Sequence, residues 1–139
     1  MKEQRSAYQR VWFITGSSAG LGRALTEAVL ARGERAVVTA RTPERVRDLI
    51  ERYPAQALVL ELDVTRQDQV RSVVREAIDR FGHIDVLVNI DGTSEVISQE
   101  VAPLGTKVIT IEPANANGHS PDDSAAVAGD IIGAVGADR

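Results

Sequence analysis

Thr15-Gly16-Ser17-Ser18-Ala19-Gly20-Leu21-Gly22 is the stretch of this chain whose residue types and spacing are best suited to chemistry. It follows the apolar run Val11-Trp12-Phe13-Ile14 and opens an amphipathic segment from Leu21 to Arg32. A strand, a glycine-rich turn and a helix in that order gather unpaired backbone N–H groups and the positive end of a helix dipole at one point, where a phosphate can sit. Gly16 suits the tight turn, Gly20 lets the backbone come close to the anion, and Gly22 lets the helix pack against the strand. With that context on both sides, the pattern points to a nucleotide pyrophosphate rather than to a bare glycine repeat.

Two further positions bear on the same ligand. Ala40-Arg41-Thr42 follows the second apolar strand, the place that faces an adenosine ribose in dinucleotide-binding sheets. A carboxylate there accepts from the ribose 2′-hydroxyl; Ala40 has none, and Arg41 offers a planar, permanent cation suited to a 2′-phosphate. The pattern therefore favours NADP over NAD, with Arg23 in the first helix as a candidate helper. The competing reading leaves both arginines as solvated surface. After the third strand, Asp63 is placed to accept from an adenine amino group and Val64 to form an apolar wall. Equally, Asp63 is a carboxylate near a helix N-terminus. Asn89 closes the fourth strand, where its amide suits backbone or ribose.

Other chemistries find little support. The two histidines, His83 and His119, fall in connections, and no serine, histidine and carboxylate set suggests a nucleophilic triad. With no cysteine there is no disulfide, thiolate nucleophile or cysteine metal site. A net charge of −4 argues against a general nucleic-acid binder. No apolar run approaches the roughly 20 residues of a membrane helix, and Met1 to Arg10 lacks the apolar centre of a secretion signal. The expected compartment is the cytoplasm.

The elements that must position these residues are legible in the periodicity. The 139 residues suit one domain, 11–139, after a tail at 1–10, and the 43% apolar content is ordinary for a globular chain. Strands are predicted at 11–15, 35–40, 57–62, 85–89 and 106–111, and helices at 21–32, 43–52, 66–81, 93–102 and 121–135. Gly33 and Gly82 serve as left-handed stops, Thr42 and Thr65 as N-caps, and Pro43 and Pro121 as first-turn prolines. Strands alternating with helices imply an α/β, Rossmann-like, doubly wound parallel sheet of five strands. Right-handed crossovers give the order 3-2-1-4-5, with ligands at the carboxyl ends.

Together these residues resemble the short-chain dehydrogenase/reductase family. Thr15-Gly16, Gly20 and Gly22 match its TGxxxGxG, Asp63-Val64 its adenine pocket, and Leu87-Val88-Asn89 the start of its NNAG. Residues 94–105 look like the end of its long active-site helix, and Val108 to Pro113 like the strand that follows. The resemblance implies an oxidoreductase fold whose cofactor-binding set here is Thr15, Gly16, Ser17, Ser18, Gly20, Leu21, Gly22, Arg41, Asp63, Val64 and Asn89. It also implies what departs. After Asn89 the chain reads Ile90-Asp91-Gly92, and the segment carrying the catalytic serine and the YxxxK pair is not found. Ala114 replaces the glycine expected after Pro113.

No catalytic residue is therefore assigned. Tyr8 and Tyr53 have no lysine four positions on, and the lysines are Lys2 and Lys107. If the segment after Asn89 closes up, strand 106–111 must pair directly beside strand 85–89. Helix 93–102 must then press Val96, Ile97 and Val101 onto the sheet or onto a second copy, and a monomer or altered dimer replaces the family's tetramer. The first expectation is a minimal NADP(H)-binding domain without efficient turnover. Residual oxidoreductase activity assisted by water, Asn89, Asp91 or His119 is the second. A non-enzymatic scaffold or interaction module is the third.

Overall fold

A computed structural model describes residues 9–16, 20–90, 95–111 and 123–137, the side chains of 123–126 and 136–137 excepted. Five strands alternate with helices: β1 (Val11–Ile14), α1 (Gly20–Ala31), β2 (Arg35–Ala40), α2 (Arg47–Arg52), β3 (Ala57–Glu61), α3 (Gln67–Phe81), β4 (Val86–Asn89), α4 (Glu95–Val101), β5 (Lys107–Thr110) and α5 (Asp123–Ala137). All pair in parallel, in the order β3-β2-β1-β4-β5. This is the α/β Rossmann-like sheet that the alternation of periods requires.

The expected closure of the sheet is observed. Val86, Leu87, Val88 and Asn89 stand beside Lys107, Val108, Ile109 and Thr110. The Lys107 N–H donates to the Asp85 carbonyl at 2.9 Å and the Ile111 N–H to the Asn89 carbonyl at 2.8 Å. The described residues between the two strands form a short helix and a 3-10 turn, Ala102–Leu104, and no further strand.

The core forms on both faces because successive strand residues point to opposite sides. Trp12, Ile14, Val86 and Val88 pack with Leu25 and Val29 of α1 and with Ala128 and Ile132 of α5. Val11, Phe13 and Leu87 pack with Val70 and Val73 of α3 and with Ile97 and Val101 of α4. Ile97 and Val101 are fully buried, so that apolar stripe of α4 is covered by the sheet and α3.

Three local expectations are corrected. The predicted helix 43–52 splits into a 3-10 turn, Pro43–Val46, followed by α2. Thr42 has the extended backbone of an N-cap but makes no side-chain cap bond. Thr65 does not cap α3; Arg66 occupies that position, and the Thr65 hydroxyl turns back to Asp63 at 2.6 Å. An aspartate two residues upstream is the nearer acceptor, and the resulting Asx-turn displaces the cap. Gly33 and Gly82 do end α1 and α3, both at φ +89°. Pro121, the tail 1–8, His119, Asp91 and Ala114 lie outside the described residues.

Candidate functional site

Parallel pairing brings the carboxyl ends of all five strands to one edge, and with them the residues singled out above. In the order β3-β2-β1-β4-β5 the switch point lies between β1 and β4, the position beyond which ligands bind in open α/β sheets. Thr15 stands at that point. Its N–H donates to the Val88 carbonyl at 3.0 Å, and its hydroxyl accepts the Ile90 N–H at 3.2 Å. The Thr15 side chain thus ties the two strand ends together from within, buried at 5% exposure.

Gly16 and Gly20 take the left-handed backbone, at φ +72° and +58°, which a side chain would strain. Between them, Ser17 and Ser18 lie outside the described residues. At Gly20 an added Cβ would meet no heavy atom within 4 Å among the described residues. Leu21 packs partly buried against the α1-side core. Gly22 is buried, and its carbonyl accepts the Thr26 hydroxyl at 2.8 Å.

On the β2–β3 side, Ala40 is buried while Arg41 is exposed. Among the described residues, Arg41 forms no hydrogen bond or ion pair, yet its charge reaches Asp63 across the strand ends. Asp63 Oδ1 accepts from the Thr65 hydroxyl and from the Thr65 N–H, the latter at 3.0 Å. Those two bonds, and then the charges of Arg41 and Arg66, hold its carboxyl below the ordinary 3.8. The Asp63 N–H donates to Gln69. Val64 is half-buried against the α3-side core, leaving an apolar flank beside the carboxylate.

Arg23 is not the free helper expected from sequence. Its Nε donates to Glu27 Oε2 and its Nη1 to the Arg45 carbonyl, each at 3.1 Å, and its Nη2 pairs with Asp48. The hydrogen bond with Asp48 raises the Arg23 pKa and lowers that of Asp48. Only the Glu27 contact had a sequence signal, the i,i+4 spacing within one helix. Asp48 lies 25 residues away, a pairing visible only in three dimensions.

On the β4 side Asn89 is 1% exposed. Its Nδ2 lies 3.5 Å from the Ser98 hydroxyl of α4, and its Oδ1 has no hydrogen-bond partner among the described residues. Ser98 carries no motif and was missed by sequence reasoning. A buried acceptor left without a donor at a strand end is costly unless something else supplies one. A ribose hydroxyl of a dinucleotide laid across the strand ends is a donor that fits that orphaned oxygen.

Candidates for acid–base chemistry fall elsewhere. Tyr53 caps α2, ahead of β3, where its carbonyl accepts the Gln56 and Ala57 N–H groups, and Lys107 begins β5. Both therefore belong to the amino edge of the sheet. His83 sits there as well, with Nε2 2.9 Å from Asp85 Oδ2. A groove of about 300 Å³ between α3 and the α4 region, crossed by the Arg71–Glu100 pair, is lined by none of the candidate residues. Among the described residues no three His, Asp or Glu side chains are grouped to hold a metal.

Comparison with known proteins agrees with this geometry. The family profile described as short chain dehydrogenase matches residues 10–104. "Oxidoreductase BOA17" of Botryotinia fuckeliana is 39% identical over 92 residues, covering 66% of this chain and 34% of that protein. The sorbitol dehydrogenase of Cereibacter sphaeroides is 40% identical over 76 residues, covering 55% and 30%. Among solved structures, a short-chain dehydrogenase from Streptomyces avermitilis superposes with a TM-score of 0.67 at 30% identity, covering 76% of this chain and 49% of that one. A short-chain dehydrogenase/reductase from Burkholderia phymatum, solved in complex with NAD, shares the fold with a TM-score of 0.66 at 18% identity, covering 73% and 48%. The chain thus spans about a third to a half of the length of these proteins.

Proposed function

Given that this chain belongs to the short-chain dehydrogenase/reductase family, we propose that it is a minimal NADP(H)-binding domain without efficient oxidoreductase turnover of its own. The observation that carries the reading is Arg41: an exposed guanidinium at the end of β2, without an ion pair among the described residues, directly after an alanine where NAD recognition needs a carboxylate. Bound NADP(H) supplies hydride transfer; the chain's own residues bind and orient it. The backbone of Gly16 to Gly22, with Ser17 and Ser18, would hold the pyrophosphate at the start of α1, and Arg41 the 2′-phosphate. Asp63 and Val64 would flank the adenine, and Asn89 would donate to or accept from the ribose on the far side of the switch point.

Among the described residues no tyrosine or lysine stands at the carboxyl edge to handle a proton. A carbonyl reduction needs a general acid within hydrogen-bond reach, whose help is typically worth about 10²–10⁴ in rate. Tyr53 and Lys107 are at the wrong edge of the sheet. The same reading takes the chain as one domain working in the cytoplasm as a monomer or altered dimer. The tail expected at 1–10 is corrected at its end: the Arg10 carbonyl accepts the Arg35 N–H at 3.0 Å and Gln9 donates to the Gly33 carbonyl at 2.9 Å, so both belong to the domain. The burial of Ile97 and Val101, which leaves that stripe of α4 covered within one chain, supports the reading of its assembly.

The test is calorimetric titration with NADPH and with NADH at one ionic strength, on the wild type and Arg41→Ala. A charge-assisted hydrogen bond supports about a tenfold to hundredfold preference for NADPH, lost in Arg41→Ala. Equal affinities would overturn the cofactor assignment. NADPH-dependent ketone reduction that disappears in Arg41→Ala would overturn the statement on turnover.

A further inference from the structure

We propose that Arg23 is a positioning residue for cofactor selection: its guanidinium, shared between α1 and the turn after β2, holds Arg41 in place for a 2′-phosphate. This rests on the NADP(H) reading above. Arg23 lies in the first turn of α1, three residues after Gly20, and its three nitrogens reach three separate points. Nε meets Glu27 on its own helix, Nη1 the Arg45 carbonyl within the 3-10 turn, and Nη2 the Asp48 carboxylate at the start of α2. Arg52 closes the set from the other end of α2, 3.3 Å from Glu27 and 3.8 Å from Asp48.

The backbone between these anchors is short. The Ala40 carbonyl accepts the Leu62 N–H at 3.0 Å, extending the β2–β3 ladder to its last residue. The Thr42 carbonyl accepts the Arg45 N–H at 3.1 Å, and the Arg45 carbonyl is the one that Arg23 grips. Arg41 therefore lies between two anchored points, the β2–β3 ladder before it and the turn that Arg23 grips after it. A ligand that meets a preformed loop avoids the ordering cost of making one. Arg23 and Arg52 balance Glu27 and Asp48, so the network itself adds no net charge beside Arg41.

Positioning and plain electrostatics predict different signs. If the network acted only by its charge, Arg23→Gln would weaken NADPH binding and Asp48→Asn would strengthen it. The charge-neutral pair of substitutions would then restore the wild-type ratio of NADPH to NADH affinity. If the network positions Arg41, both single variants and the pair lower that ratio, by about three- to tenfold. In an Arg41→Ala background none of them shifts it further, because coupled residues are not additive.

The experiment is titration of both cofactors into the full chain carrying these substitutions, with thermal melts alongside. The exposed Asp48→Asn variant serves alone should the pair not fold. A lowered ratio in every variant, abolished by Arg41→Ala, is the expected result. If Arg41→Ala lowers NADPH affinity while the Arg23 and Asp48 variants leave the ratio unchanged or move it in opposite directions, the positioning role is overturned and the cofactor reading stands. If the wild type shows no preference for NADPH, both are overturned.

Discussion

The two edges of the sheet treat charge differently. At the amino edge, Glu34 is 6% exposed yet fully engaged. It accepts the Trp12 indole N–H at 2.7 Å and lies 3.6 Å from Arg10 and 3.5 Å from Arg32. Asp85 there accepts the Val11 N–H at 2.7 Å and faces His83. At the carboxyl edge Arg23 is equally engaged, but Arg41 is exposed without an ion pair among the described residues, and Asn89 has a buried oxygen without a donor. Where the protein answers its own polar groups, they serve the fold. Arg35 Nε at the amino edge is also without a hydrogen-bond partner, so it is the place of Arg41 and Asn89, at the carboxyl ends where ligands bind in such sheets, that supports the proposed site.

Breaking the amino edge should have the largest effect on stability and none on cofactor choice. Glu34→Ala removes the acceptor of a buried indole N–H and the counter-charge of two arginines, an expected loss of about 2–3 kcal/mol in urea unfolding. Glu34→Gln keeps an acceptor for Trp12 and should lose less. An altered NADPH to NADH ratio in either variant would erase the distinction between the edges.

The carboxyl edge predicts the converse. Arg41→Ala, which should lose tenfold or more in NADPH affinity, is expected to leave unfolding within about 0.5 kcal/mol of wild type, as for other exposed substitutions. A large loss of stability would instead mark Arg41 as part of the frame.

The smallest effect is in pH dependence. Hydrogen bonds from Arg23 to Asp48 and from Thr65 to Asp63 lower both folded-state values below 3.8. Depressed carboxylates stabilise the fold above the unfolded value, and that contribution is lost as pH falls through the lowered folded value. Acid titration of the melting temperature should therefore be flat near neutrality and decline below about pH 4, with a shallower decline in Asp48→Asn and Asp63→Asn. An unchanged acid limb in both would show these bonds to be without consequence for stability.

Much of the frame was legible in the chain because its signals are local. The runs Val11-Trp12-Phe13-Ile14 and Val86-Leu87-Val88, buried on both faces, read directly as central parallel strands. Even the pairing of β5 beside β4 followed from the few residues between them, which hold a crossover and no more. Side-chain fates were less visible. Thr65 looked like a cap until the nearby Asp63 carboxylate claimed its hydroxyl, and Ser98 gave no sign that it would meet Asn89.

The sequence by itself determined the order of strands and helices, the glycine turns and the edge at which the candidate residues collect, since backbone periodicity and turn chemistry act over a few residues. Only the tertiary structure decided which of two similar arginines is left for a ligand. Arg23 follows the glycine turn and Arg41 follows β2, both beyond the carboxyl ends of strands, but α2 brings Asp48 onto one and not the other. Such pairing depends on where distant elements meet in space, which no local spacing encodes.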